Sequence, residues 1–553
     1  MRSIRLVSWG LLIALVAIAV ARTKLFDSEL ADHADEAAHF VTGIMVYDYI
    51  KDYLGDPPMD FASDYYAHYP KIAIGHWPPL FYVMESAAFA VGGTTIQTAM
   101  LMSVFCLLGT ILLLYERLRY TYDALTALWC AALPLALSDL RRTATLLLPD
   151  IAVTLFSLLA VFAFAKYLRT DRLRDSLWFT LWSSFAILTK GNGIALALFA
   201  VLAILFTREF RVIRSWRLWI GGTLVGLVTL THFFLWNMAL NTGGDGQLSH
   251  GYALRNLHDN LLGFIMILGV AAFAITAVAA GSVLWRSCVK ESEIDKAYLA
   301  RVAAAHVAAV IMFHVICPVK YSPRYLVPAI PTAIILIAYL SDRLRRYGTR
   351  WSLIWAATVL IAVVIPQAVG WQAVVTSRRA TGYQAAIRSI SNDSESTVIL
   401  VSGIDEVEGA LVAARRLHDP ELKDYVLRAT KVLAKVSWSG KNYQLTVDRD
   451  HLQEMLQTLP VHFVILDDFE YASRPVGAHH QLLKEVLTSN PQLFVNVGTF
   501  PVHARGRTNS DALKVYEVTA ARGKFPSMEL KRLLSNVARK AAGGYTPEPD
   551  DSP

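Results

Sequence analysis

Cysteine is scarce in this chain. There are four in 553 residues, at Cys106, Cys130, Cys288 and Cys317. None has a C-x-x-C partner, each lies in or beside an apolar run, and none follows Trp371. That argues against a disulfide framework or a zinc site. Charge is also sparse, at 18% of residues against 54% hydrophobic ones, with a mean hydropathy of +0.40. This balance excludes an ordinary soluble domain and describes a polytopic membrane protein. The net charge of +7 is mild and sits mostly in short loops. It reads as topology and attraction to membrane lipids, and nucleic acid is not expected as a partner. No G-x-G-x-x-G occurs, so no nucleotide site is read.

What the chain does have is a series of apolar runs. About eleven transmembrane helices are predicted, near 5–21, 96–114, 121–138, 150–166, 177–189, 192–206, 218–237, 260–285, 299–317, 324–341 and 352–371. A bilayer core asks for about 20 apolar residues per helix, so the shorter runs need their polar flanks to cross. The apolar stretch Leu80–Val91 has only 12 residues and reads as an interfacial helix. Alternate junctions carry 19 Lys and Arg, counting Arg2 and Arg5, and the intervening ones carry six. Positive-inside bias places the rich set in the cytoplasm. The amino terminus is then cytoplasmic, and both the first loop and the C-terminal region face outward across the plasma (inner) membrane. The first apolar segment, with Ala19-Val20-Ala21, also has the form of a cleavable signal. The loop after it lands outside in either case.

Beyond Trp371 the pattern changes. Residues 397–402, 425–429, 462–466 and 494–497 read as strands, and 406–417, 451–459 and 480–487 as helices. Such alternation predicts a small extracytoplasmic α/β domain over 372–522, followed by a mobile tail over 523–553. Gly403-Ile404-Asp405-Glu406 follows the first of these strands and is a place for an anion, a sugar or a partner.

Residues 22–95 form a long first outer loop rich in acids and aromatics. It holds Ala34-Asp35-Glu36-Ala37-Ala38-His39, Asp64-Tyr65-Tyr66, and His76-Trp77-Pro78-Pro79-Leu80. Later come Leu148-Pro149-Asp150, Thr189-Lys190-Gly191, and Arg324-Tyr325 with Pro328. An acidic pair after the first helix, a Pro-Pro-Leu segment closing the loop, an Asp heading a later span, a Thr-Lys-Gly turn and an Arg-Tyr-x-x-Pro segment occur in that order. On these motifs, residues 1–345 resemble the GT-C glycosyltransferases. The branch is that of the dolichyl-phosphate-mannose protein mannosyltransferases and lipid A aminoarabinose transferases. The resemblance implies a GT-C-like membrane domain over 1–371. It also implies an inverting transfer of a sugar from a polyprenyl-phosphate donor to a lipid, polysaccharide or protein hydroxyl.

That chemistry asks for a carboxylate to take the acceptor proton and for cations on the leaving phosphate. Neighbours on a helix point about 100° apart, so only one of the acidic pair should face an acceptor; the resemblance implies Asp35 as the base, with Glu36 second. Asp150 would orient a cation, share a proton with Asp35 or cap its helix. Lys190, Arg324, Lys71, His76 and Lys320 are the donor-phosphate candidates. No cofactor is required. Should a divalent cation, magnesium or manganese, take part, Asp35, Glu36 and His39 are the set to hold it. A transporter of lipid-linked sugars or a non-catalytic envelope scaffold is the alternative. A transporter would be expected to place charges at the bilayer midplane and to show repeated halves; neither is visible.

Overall fold

The computed structural model describes residues 2–73, 75–236, 250–285, 294–317, 322–344, 348, 350, 354–361, 379–390, 396–436, 443–469, 477–504 and 511–519. The membrane part of the chain runs through α1 (Arg2–Ala21), α2 (Glu36–Asp52), α3 (Pro58–His68), α4 (Leu80–Gly92), α5 (Ile96–Thr121), α6 (Ala124–Ala136), α7 (Ser138–Ala144) and α8 (Asp150–Thr170). It continues with α9 (Leu173–Thr189), α10 (Ala195–Thr207), α11 (Trp216–Trp236), α12 (His250–Leu268), α13 (Val270–Trp285), α14 (Ile294–Ile316) and α15 (Ile330–Leu344). The C-terminal part contains α16 (Tyr383–Arg388), β1 (Val398–Ser402), α17 (Asp405–His418), β2 (Tyr425–Arg428), α18 (Ala429–Val432), β3 (Ala434–Val436) and β4 (Tyr443–Leu445). It ends with α19 (Arg449–Thr458), β5 (Phe463–Asp467), α20 (Ala478–Ser489), β6 (Phe494–Pro501) and β7 (Ala512–Val518). The expected tail, Cys288, and most of the predicted span 352–371 lie outside the described residues.

The contacts group the chain into two compact units. One comprises Met1–Leu25, Gly75–Phe81 and Leu101–Thr376, and the other Phe26–Ile74, Tyr82–Met100 and Ser377–Pro553. Most of the first outer loop therefore clusters with the C-terminal region, while its Gly75–Phe81 segment clusters with the first unit.

In the first unit, five helices among the described residues are long and apolar enough to cross a membrane, or six if one bent pair counts as a span. The bent pair is α12–α13, predicted as one run over 260–285. Its halves meet at 113°. Gly269 between them has φ +80°, a left-handed conformation that favours glycine. Other predicted spans lie on shorter helices, such as α6 and α10, each 13 residues long. Sparse polar ties cross between helices. Glu116 accepts from Arg5 Nε (3.0 Å) and Trp9 Nε1 (2.8 Å), and Tyr298 donates to the Ala165 carbonyl at 2.9 Å. His306 meets Thr332 Oγ1 at 3.0 Å, in line with the interhelical role expected of a lone histidine on an apolar helix.

In the second unit, the four predicted strands and an unpredicted fifth, β7, form a five-stranded sheet in the order β2-β1-β5-β7-β6. β2, β1 and β5 are parallel, and β7 runs antiparallel to both β5 and β6. Val398, Leu400, Val464, Leu466, Leu452, Leu483, Phe494 and Tyr516 join one buried core across it. Two histidines open α20 inside this packing. Burial, then the neighbouring His480, lowers His479 to about 4. Burial also lowers His480, whose Nδ1 lies 2.8 Å from Ser402 Oγ. Both are thus neutral in the folded state at neutral pH. The stability this confers is present above the ordinary histidine pKa of about 6.5 and is lost as pH falls toward 4. Acidification over that window should weaken the sheet, by as much as about 3 kcal/mol for His479 alone. Amide exchange at Val398–Ser402 should quicken accordingly, and less so in His479→Gln.

Candidate active site

The Thr189–Gly193 turn is built by close approach. The Lys190 backbone is extended (φ −156°, ψ 138°) between α9 and a 3-10 turn over Gly191–Ile194. The Gly193 N–H donates to the Lys190 carbonyl at 2.9 Å. A side chain at Gly193 would begin 2.5 Å from the Ala186 carbonyl carbon, so only glycine fits. This turn sends the Lys190 ammonium to Asp150 Oδ1 at 2.5 Å. Asp150 opens α8 directly after Pro149 and is fully buried. The same ammonium stands 4.7 Å from the ring centre of Tyr325. His314 stacks on that ring at 5.7 Å, and the Arg324 guanidinium lies 5.5 Å from it.

Two desolvated charges in an apolar helical unit are expensive unless paired, and here they are paired. Asp150 Oδ2 and both polar atoms of the Asn192 amide are buried and find no hydrogen-bond partner among the described residues, although buried polar groups usually have one. His76, half-buried, packs edge-on against Trp77 at 4.2 Å. Lys320 lies outside the described residues. The sequence motif contains Tyr325 but gives it no role, and Asn192 has none either. Their signal was there, since each sits within two residues of a motif cation.

In the second unit, the acidic pair divides as helix geometry requires. Glu36 is fully buried, and its Oε2 accepts from the His33 backbone N–H at 2.9 Å. It ties the chain before the N-cap back onto the first residue of the helix. Asp35 is the N-cap residue of α2 but makes no side-chain cap bond. Its carboxylate is 24% exposed and lies 3.6 Å from His33 Nδ1. Of the two carboxylates, only that of Asp35 is open to solvent.

His39 is buried and bonds Tyr82 Oη at 3.2 Å. Asp35, Glu36 and His39 thus have different partners. Among the described residues, no three His, Cys, Asp or Glu side chains gather as a metal site.

Lys71 is also buried, and its Nζ donates to Asp405 Oδ2 at 2.7 Å. Asp405 and Glu408 both bond Arg428. Burial works against the Asp405 charge, but Arg428 and Lys71 outweigh it and hold the carboxyl below its ordinary range. Burial and Arg428 push Lys71 down, with Asp405 opposing. The Gly403–Glu406 corner, expected to take an anion or a partner, thus engages the first loop through Asp405. Nothing in the sequence pattern foretold that pairing.

The profile of the dolichyl-phosphate-mannose-protein mannosyltransferase family matches residues 76–236, a stretch that contains His76, Asp150 and Lys190. No curated protein matches the chain. Among solved structures, ArnT from Cupriavidus metallidurans in the apo state superposes with a TM-score of 0.56 at 15% identity, covering 92% of this chain and 97% of that one. The same protein bound to undecaprenyl phosphate gives 0.53 at 15% identity, covering 93% and 99%. The chain has the GT-C fold. The GT-C likeness runs through the C-terminal sheet region as well as the helices, since coverage is nearly complete in both directions. At this identity it speaks for architecture. The stretch matched by the family profile contains three of this chain's motifs in order.

Proposed function

We propose that this GT-C protein is an inverting glycosyltransferase of the plasma (inner) membrane, with its amino terminus in the cytoplasm and its C-terminal domain outside. It moves a sugar from a polyprenyl-phosphate donor to an acceptor hydroxyl on the extracytoplasmic face. The observation that carries the reading is the Lys190–Asp150–Tyr325 cluster. It presents a cation, fixed by a carboxylate and a ring face, in a low-dielectric setting where its pull on a leaving phosphate is strongest.

In the proposed step the acceptor oxygen attacks the anomeric carbon. Its proton passes to Asp35, the bond from that carbon to the phosphate oxygen breaks, and polyprenyl phosphate departs with the electron pair. Lys190, with Arg324, meets the growing charge on the phosphate, and Asp150 holds Lys190 in place. Undecaprenyl phosphate, bound by the structurally similar ArnT, is the carrier class to try first.

The test is to incubate the purified full-length protein with a panel of polyprenyl-phosphate sugars and acceptor glycolipids. One donor should be consumed, with equimolar lipid phosphate released and the anomeric configuration inverted in the product. Movement of intact donor across vesicles without cleavage would instead identify a transporter.

A further inference from the structure

We infer that the C-terminal α/β layer belongs to the catalytic apparatus. Its helix α17 holds the Asp35-bearing helix α2 through Gly409, Asp405 and Arg416, and Lys71 is a positioning residue in that clamp rather than a ligand of the donor phosphate. This inference rests on Asp35 being the base. All of its members lie within the second compact unit.

The grip on α2 acts at both ends. Near its start, the bare backbone of Gly409 comes against Ala37, two residues after Asp35. A methyl group at Gly409 would stand 3.1 Å from Ala37 Cβ and 2.8 Å from Lys71 Cε. Lys71 is therefore wedged between α2 and α17, and its bond to Asp405 fixes it there. The chain just beyond it is tied to α2 as well, because the Ala73 N–H donates to Thr42 Oγ1 at 2.9 Å. Near the far end of α2, Asp48 accepts from Arg416 Nη2 at 2.5 Å and from Tyr65 Oη at 3.2 Å. Arg416 Nε in turn donates to Tyr65 Oη at 2.6 Å. Two further bonds fasten the loop to the same region. Tyr69 donates to Asp419 Oδ2 at 2.5 Å, and His68 Nδ1 lies 2.8 Å from the Asp424 carbonyl.

Unlike Lys190, Lys71 is wedged between two helices and shares its carboxylate, Asp405, with a second cation, Arg428, a place suited to fixing the angle at which α2 presents its first turn. Catalytic groups must be held within a fraction of an ångström, and a displacement of about 1 Å can lose about a hundredfold in rate.

The experiment compares K71M, D405N, K71R and the double variant K71M/D405L in the full-length protein. It reads kcat, donor KM and amide exchange over residues 36–42. K71M and D405N should each lower kcat by about tenfold to a hundredfold with donor KM changed less than about twofold. Their effects should not add, K71R should recover most of the rate, and exchange in the first turns of α2 should quicken in both single variants. If the single variants do not fold, the double variant, which removes the buried pair as a whole, supplies the same readings.

A tenfold rise in donor KM in K71M with D405N silent would overturn the inference and return Lys71 to the phosphate. Unchanged exchange in every variant would overturn it too. Should Asp35→Asn prove fully active, the base assignment fails on its own, and the exchange measurement then decides whether α17 clamps α2.

Discussion

Asp35→Asn should lower transfer about a thousandfold while leaving expression, membrane insertion and donor binding intact. The magnitude is that of a general base. An amide of the same shape accepts a hydrogen bond but cannot take the proton. Folding should be spared because Asp35 makes no cap bond to α2 and its side chain is part-exposed. The contrast with Glu36→Gln sharpens the test. Glu36 is fully buried and bonds the His33 N–H, a bond that glutamine can still accept. That variant should therefore lose little activity. Near-wild-type turnover in Asp35→Asn, or equal losses in the two variants, would remove Asp35 as the base.

Lys190→Met should lower kcat by about a hundredfold to a thousandfold, the range seen when one donor to a developing anion is removed, and should weaken donor use more than acceptor use. It would also strand Asp150, fully buried, as a lone carboxylate, a loss of about 3–5 kcal/mol of stability. Lys190→Met with Asp150→Asn separates the two effects. The double variant should recover thermal stability, because no uncompensated charge is left inside, yet remain inactive. Recovery of activity along with stability would show the pair to be a packing element only. Kinetics read as free energies would distinguish a loss in donor KM from a loss in the chemical step.

Signals carried by neighbours in sequence were legible. Four strands of the α/β layer stood out as short β-branched or aromatic runs between turns, and the Thr189–Gly193 turn announced itself through two glycines closely following a lysine. The third antiparallel element, β7, went unread. Its residues Lys514 and Glu517 interrupt the apolar run, although its Val515 sits fully buried against β5. The break at Gly269 was equally silent. A single glycine in an apolar run is common, and only its φ of +80° marks the 113° bend.

Long-range charge pairing was the least legible of all. Lys71 and Asp405 are 334 residues apart, and Arg416 and Asp48 are 368 apart. No periodicity encodes such partners, so Lys71 read as an available cation when it is a committed one. The acidic pair could be narrowed by helix geometry to one useful member. Which member turned on a backbone N–H at His33 that no pattern reveals.

The same separations bear on biosynthesis. Chains are made from the amino end, and domains usually fold in the order they emerge. Helix α2 leaves the ribosome early, but the partners that fix it, Asp405, Arg416 and Arg428, are translated more than three hundred residues later. A nascent or prematurely stopped chain would thus carry Asp35, Asp150 and Lys190 and still lack the proposed clamp on α2, so any transfer that depends on the clamp should wait until the α/β layer has been made.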